Sequence, residues 1–114
     1  MTTAVFDAAA VADLTGDPRD AAFAVELVSC YRRLLPERLR RIAAALDGDD
    51  PAETLDAVLS LKSASAMVGA CELGEVAARV EADVRADAVA AEAAERLLAD
   101  AAARVDDELA AYLR

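Results

Sequence analysis

The stretch Asp50-Pro51-Ala52-Glu53-Thr54-Leu55-Asp56-Ala57-Val58-Leu59-Ser60-Leu61-Lys62-Ser63-Ala64-Ser65-Ala66-Met67-Val68-Gly69-Ala70 spells out a whole helix with its own start and stop. Asp50 supplies an N-cap carboxylate, Pro51 fills the first helical position, where no amide hydrogen is lost, and Glu53 stands where it completes a capping box. At about 100° per residue, Leu55, Val58, Leu61 and Ser65 fall to one side, while Leu59 lies a quarter turn or more away with Ala52, Asp56, Ser63 and Ala66 on a solvent-side face. The helix runs to about Val68, and Gly69 suits the left-handed conformation that ends it.

The same punctuation recurs outward from this segment. Asp17-Pro18-Arg19-Asp20 is a second start signal, and behind it Phe23, Leu27, Tyr31, Leu34, Leu35, Leu39, Ile42 and Leu46 keep the three-and-four spacing of one buried face almost to Gly48. Pro36 removes the bond to the carbonyl of Arg32, at a cost of roughly 3 kcal/mol, so a kink is expected there and not a break. Upstream, Phe6 to Leu14 is a short apolar-rich segment ended by Thr15 and Gly16. Downstream, Leu73, Val76, Ala77, Val80 and Val84 mark a fourth helix, and after Asp87 a fifth carries Ala94, Leu97, Leu98, Ala101, Val105, Leu109 and Tyr112. No segment alternates with period two. The expectation is an all-α fold: an antiparallel, up-down-up-down bundle of four helices of about 16 to 30 residues, with a short extra N-terminal helix capping one end, forming a single domain over residues 1–114.

Composition agrees with close helix packing and removes many chemistries. Of 114 residues 57% are hydrophobic, yet 31 are alanine, with two Phe, two Tyr and no Trp, so the core must be built from Leu, Val and Ala. Twelve basic against 22 acidic residues give a net charge of −10, which disfavours nucleic acid and anionic membranes as partners. There is no histidine. Ser-His-Asp and Cys-His catalysis, His-Glu-x-x-His metal sites and histidine proton relays are therefore excluded, and most familiar hydrolase mechanisms go with them. Cys30 and Cys71 form no Cys-x-x-Cys pair and read as reduced, half-buried thiols, so neither a metal nor another cofactor is expected. Met1 to Asp13 lacks the pattern of a signal peptide, and no run of 18 uncharged apolar residues occurs, which predicts a cytoplasmic protein. Arginine outnumbers lysine by eleven to one, so the single lysine, Lys62, stands out.

The segment Leu59 to Ala70 resembles the signature of histidine-containing phosphotransfer (HPt) domains, in which a helix carries His-x-x-Lys-Gly/Ser-x-Ser/Ala and then Gly ten positions after the histidine. Lys62, Ser63, Ser65, Gly69 and Ala70 stand at the matching positions. Phe6-Asp7, Glu26-Leu27, Leu35-Pro36-Glu37-Arg38-Leu39 and Leu73 through Val80-Glu81 extend the resemblance over essentially the whole chain. It implies a module of two-component phosphorelay signalling whose partners are response-regulator receiver domains or histidine kinases. At the position of the phosphoryl-accepting histidine, however, this sequence has Leu59. Leucine has no lone pair; Lys62, with a reference pKa near 10.4, would be protonated, and a serine ester at Ser63 would be too stable to pass the group on. The resemblance therefore implies a pseudo-HPt domain, with a vacant phosphoryl site and a retained docking surface of Leu59, Lys62, Ser63, Ala66, Met67 and Asp56, while Ser65, Gly69 and Ala70 are structural parts of the motif.

Bland readings stand beside this one. Leu59 is also what drift leaves in a domain no longer selected for transfer, although the retained lysine and small residues favour docking. Two other functions remain open: an active phosphotransfer protein whose nucleophile is replaced in this variant, and a structural bundle that oligomerises through the alanine-rich stretches Ala90 to Ala94 and Ala99 to Ala103. The basic run from Tyr31 to Arg41 holds five arginines against one acid. Its ordinary role is a solvated face paired with acids of neighbouring helices; its sharper one is to steer an acidic partner.

Overall fold

The computed structural model describes residues 3–15 and 21–114. They form five helices and no strand: α1 (Ala8–Thr15), α2 (Ala21–Asp47), α3 (Pro51–Val68), α4 (Cys71–Arg85) and α5 (Ala91–Tyr112). The start signal expected at Asp17-Pro18, and Gly16 before it, lie outside the described residues. Neighbours around the bundle are α2 with α3, α3 with α4, α4 with α5 and α5 with α2, and α1 lies against α2 and α3. The connections after α2, α3 and α4 are too short to carry the chain from one end of the bundle to the other, so successive long helices run in opposite directions.

The caps of α3 follow its sequence, with one change. The Glu53 amide donates to Asp50 Oδ1 at 3.1 Å, and Gly69 takes φ 76° as the C-cap. The reciprocal half of the expected capping box does not form: the Asp50 amide donates to the Ala45 carbonyl, and the Glu53 carboxylate accepts from Arg41 Nε at 2.7 Å. A guanidinium outcompetes a backbone amide for a carboxylate because both partners are charged.

The core is the predicted one of Leu, Val and Ala, with Ile42, Leu61, Leu73, Leu98 and Leu109 fully buried at its centre. Burying each such side chain contributes about 1.5–3 kcal/mol. That outweighs the bond lost at Pro36, and α2 runs through the proline unbroken. Two large residues expected on buried faces are not there: Phe23 is 55% and Leu97 46% exposed. Each precedes by one position the residue that holds the core, Ala24 and Leu98, and adjacent helical positions point 100° apart. The small Ala24 takes the core position on α2, so the largest apolar side chains are an imperfect guide to the buried stripe. Tyr112, also expected inside, is half-buried and meets the Phe6 ring edge-on at 5.6 Å between centroids.

Candidate functional site

Helix α3 separates its residues sharply. Val58, Leu61 and Ser65 are buried, whereas Asp56, Leu59, Lys62, Ser63, Ala66 and Met67 are all exposed, Leu59 by 37% and Met67 by 50%. One exposed strip of α3 thus carries every residue expected to dock a partner. Its apolar members lie between two charged flanks.

On the α4 flank, Lys62 Nζ donates to Glu81 Oε1 at 2.9 Å, and Arg85 Nε donates to Glu81 Oε2 at 3.0 Å. The Lys62 ammonium, followed by the Arg85 guanidinium, holds the Glu81 carboxyl below the usual carboxylate range. Glu81 is the residue that sequence reasoning missed as a partner of the lone lysine. Val80-Glu81 belongs to the stretch that carries the resemblance, but no spacing rule connects residues on two different helices.

On the α2 flank, Arg41 donates from Nε to Glu53 and from Nη2 to Asp56 at 2.5 Å, which raises the guanidinium's pKa further. Asp56 therefore shares the Arg41 guanidinium with Glu53 and stays exposed at the edge of the strip. Arg38 shares with Tyr31 the face of α2 that meets α3, and its Nη1 is buried without a hydrogen-bond partner. The basic run is divided by the fold, because Arg32 turns the other way and pairs with Asp106 of α5 at 2.7 Å.

Beneath the strip, the motif residues hold the helix in place. The Ser65 hydroxyl and the Tyr31 phenol lie 2.9 Å apart in the core. Burial raises the Tyr31 pKa despite that bond. Gly69 has a second role that helix punctuation does not reveal: its carbonyl accepts from the Asp7 amide at 2.8 Å, and a Cβ added at Gly69 would lie 2.2 Å from the Asp7 carbonyl oxygen. Asp7 in turn caps α1 by accepting from the Ala9 amide at 3.0 Å. Ala70 is fully buried at the start of α4 and donates its amide to the Ser65 carbonyl. Cys30 and Cys71 are free and half-buried, and among the described residues no group of His, Cys, Asp and Glu has the arrangement to hold a metal ion. No described helix is long and apolar enough to cross a membrane.

Known proteins share this fold. The chain is similar to histidine-containing phosphotransfer protein B (HptB) from Pseudomonas aeruginosa PAO1, with 23% identity over 96% of this chain and 94% of that one and a TM-score of 0.83. It is also similar to the HPT domain from the Hpt sensor hybrid histidine kinase from Shewanella, with 19% identity over 96% and 93% and a TM-score of 0.76. At these identities the likeness establishes the fold. No curated protein matches the chain. A family model described as Hpt domain matches residues 26–113, which take in all of α3, α4 and the Lys62–Glu81 contact. The chain therefore belongs to the Hpt domain family, whose members act in phosphorelays with histidine kinases and response regulators.

Proposed function

We propose that this Hpt domain is a pseudo-phosphotransfer module of the cytoplasm: it docks a receiver or histidine-kinase domain and carries no phosphoryl group. The observation that carries the reading is Leu59, an exposed apolar side chain at the position where the resemblance puts the nucleophile, in a chain with no histidine to replace it. Around it the features a partner would meet are kept. Lys62 remains beside the site, Ser63 and Ala66 are small enough for close approach, and Met67 extends the apolar surface. Arg38, half-buried on the face of α2 that meets α3, adds a cation on that flank that suits the acidic cluster of a receiver domain.

Titration calorimetry against receiver and histidine-kinase domains from the same genome tests this. Binding to one of them, weakened about tenfold or more by Leu59→Asp, is the expected result, a loss of about 1.4 kcal/mol or more. Absence of binding to every such domain would overturn the proposal.

A further inference from the structure

The alanines of α5 leave the α2–α5 side of the bundle incompletely filled. An open groove of about 640 Å³ lies between these helices over Leu35 and Leu39, and a smaller one continues it past Leu39 and Ala99 toward Glu95. Larger side chains at Ala99, Ala102 and Ala103 would close it. From Ser29 to Ala43 the groove spans about 21 Å of α2, at about 1.5 Å per residue.

The charges beside the groove are self-complementary. Arg33 and Arg40 are exposed on α2, seven residues apart, and Asp100 and Asp107 are exposed on α5 with the same spacing. Seven residues are two turns, so each pair lies on one line along its helix. Arg33 follows Arg32, and Asp107 follows Asp106, whose guanidinium and carboxylate pair across the groove within the protomer. Among the described residues none of the four outer groups forms a hydrogen bond or an ion pair; Asp107 lies near Arg32 and Asp100 near Arg104 without contacting them.

We infer that the α2–α5 face is a homodimer interface, in which a second copy of the chain covers the groove and Arg33 and Arg40 pair with the partner's Asp107 and the partner's Asp100. A two-fold axis parallel to the helices sets α2 of one protomer against α5 of the other in the antiparallel register that Arg32 and Asp106 already define. In that register each arginine stands about 3 Å along the axis from its aspartate, within reach of a long side chain. Because the spacings are equal, one placement satisfies both pairs, and symmetry doubles them to four. Glu37, between the two arginines, falls level with the partner's Ala101 in that register. A face about 21 Å long and two helices wide buries only about 400 Å² per protomer, so the dimer is a weak, concentration-dependent one. Helix α3 is diagonal to α5 in the bundle, so its exposed strip stays open in the dimer.

Sedimentation equilibrium of the whole chain tests the inference independently of any docking partner. The weight-average mass is expected to rise toward that of a dimer as concentration goes from about 10 μM to about 1 mM, the range of a small interface. The double variants Arg33→Asp/Arg40→Asp and Asp100→Arg/Asp107→Arg should each stay monomeric, and an equimolar mixture of the two should regain dimer mass. Ala103→Arg, which fills the groove without touching the charge pairs, should also be monomeric. A wild type that stays monomeric throughout, charge-reversed variants that associate like the wild type, or a mixture that fails to associate would overturn the inference.

Discussion

Lys62 Nζ and Glu81 Oε1 lie 2.9 Å apart, joining α3 to α4 one turn beyond Leu59. The chain's only lysine is thus a member of an ion pair that also includes Arg85, and not a free cation awaiting a phosphate. An anionic group arriving at this surface has to compete with Glu81 for it. The same pairing, with Arg85 beside it, holds the Glu81 carboxyl below its ordinary range.

The contact fixes a pH dependence. A carboxyl whose folded pKa lies below its unfolded value of about 4.3 adds stability that is present above about pH 4.3 and is lost as pH falls through the folded value. Chemical denaturation of wild type and Glu81→Gln from pH 7 to pH 3 reads this directly. Wild type should be the more stable at neutral pH, with the difference constant down to about pH 5 and shrinking toward zero below about pH 4. A difference that grows on acidification would contradict the pairing.

Gly69→Ala is expected to be among the more damaging small substitutions in the chain. The left-handed conformation alone costs a non-glycine residue about 1–2 kcal/mol, and the added Cβ would lie 2.2 Å from the Asp7 carbonyl oxygen, so the N-terminal segment has to move. A loss of about 2 kcal/mol or more in urea denaturation is expected. It should be accompanied by a change in the environment of Tyr112, which packs on Phe6 just before Asp7. A variant with wild-type stability would show that the chain does not approach Gly69 as described.

The Tyr31–Ser65 contact predicts non-additive mutations. Ser65→Ala leaves the Tyr31 hydroxyl buried without its partner, at a cost of about 1–3 kcal/mol, and Tyr31→Phe does the same to Ser65. The double variant removes both ends, so its loss should fall short of the sum of the single losses by about 1 kcal/mol, a coupling that independent sites would not give. Burial also raises the Tyr31 pKa, so wild type should lose stability above about pH 10, where the unfolded phenol ionises, and Tyr31→Phe should not share that loss.

Much of this architecture is legible in the sequence because helix boundaries are local. Asp50, Pro51 and Gly69 act on their own turns of backbone, and the limits of α3 follow from them almost to the residue. The division of α3 into a buried side with Val58, Leu61 and Ser65 and an exposed side with Leu59 is equally local, since it depends only on the helical repeat. What sequence spacing does not reveal is how helices approach one another. The helical spacing puts Phe23 and Leu97 on buried faces, yet the neighbours meet Ala24 and Leu98. Glu81 opposite Lys62, Arg41 drawing Glu53 out of its capping box, and Asp7 lying over Gly69 are all contacts between distant segments. The candidate site follows the same division. Its members on α3 are readable from the repeat, while their ionic partners stand on α2 and α4.

Leu59→His should be well tolerated by the fold. The side chain is 37% exposed, and histidine is only slightly the poorer helix former, so the stability change should stay within about 1 kcal/mol by urea denaturation. A collapse of the fold would show that Leu59 packs as a core residue and not as a surface one.

The most direct test of the central claim is phosphoryl transfer from a phosphorylated receiver domain that binds the chain, followed by intact-protein mass for the wild type and for Leu59→His. The wild type should bind that receiver and acquire no phosphoryl group, while Leu59→His acquires one. A phosphorylated wild-type chain would contradict the account.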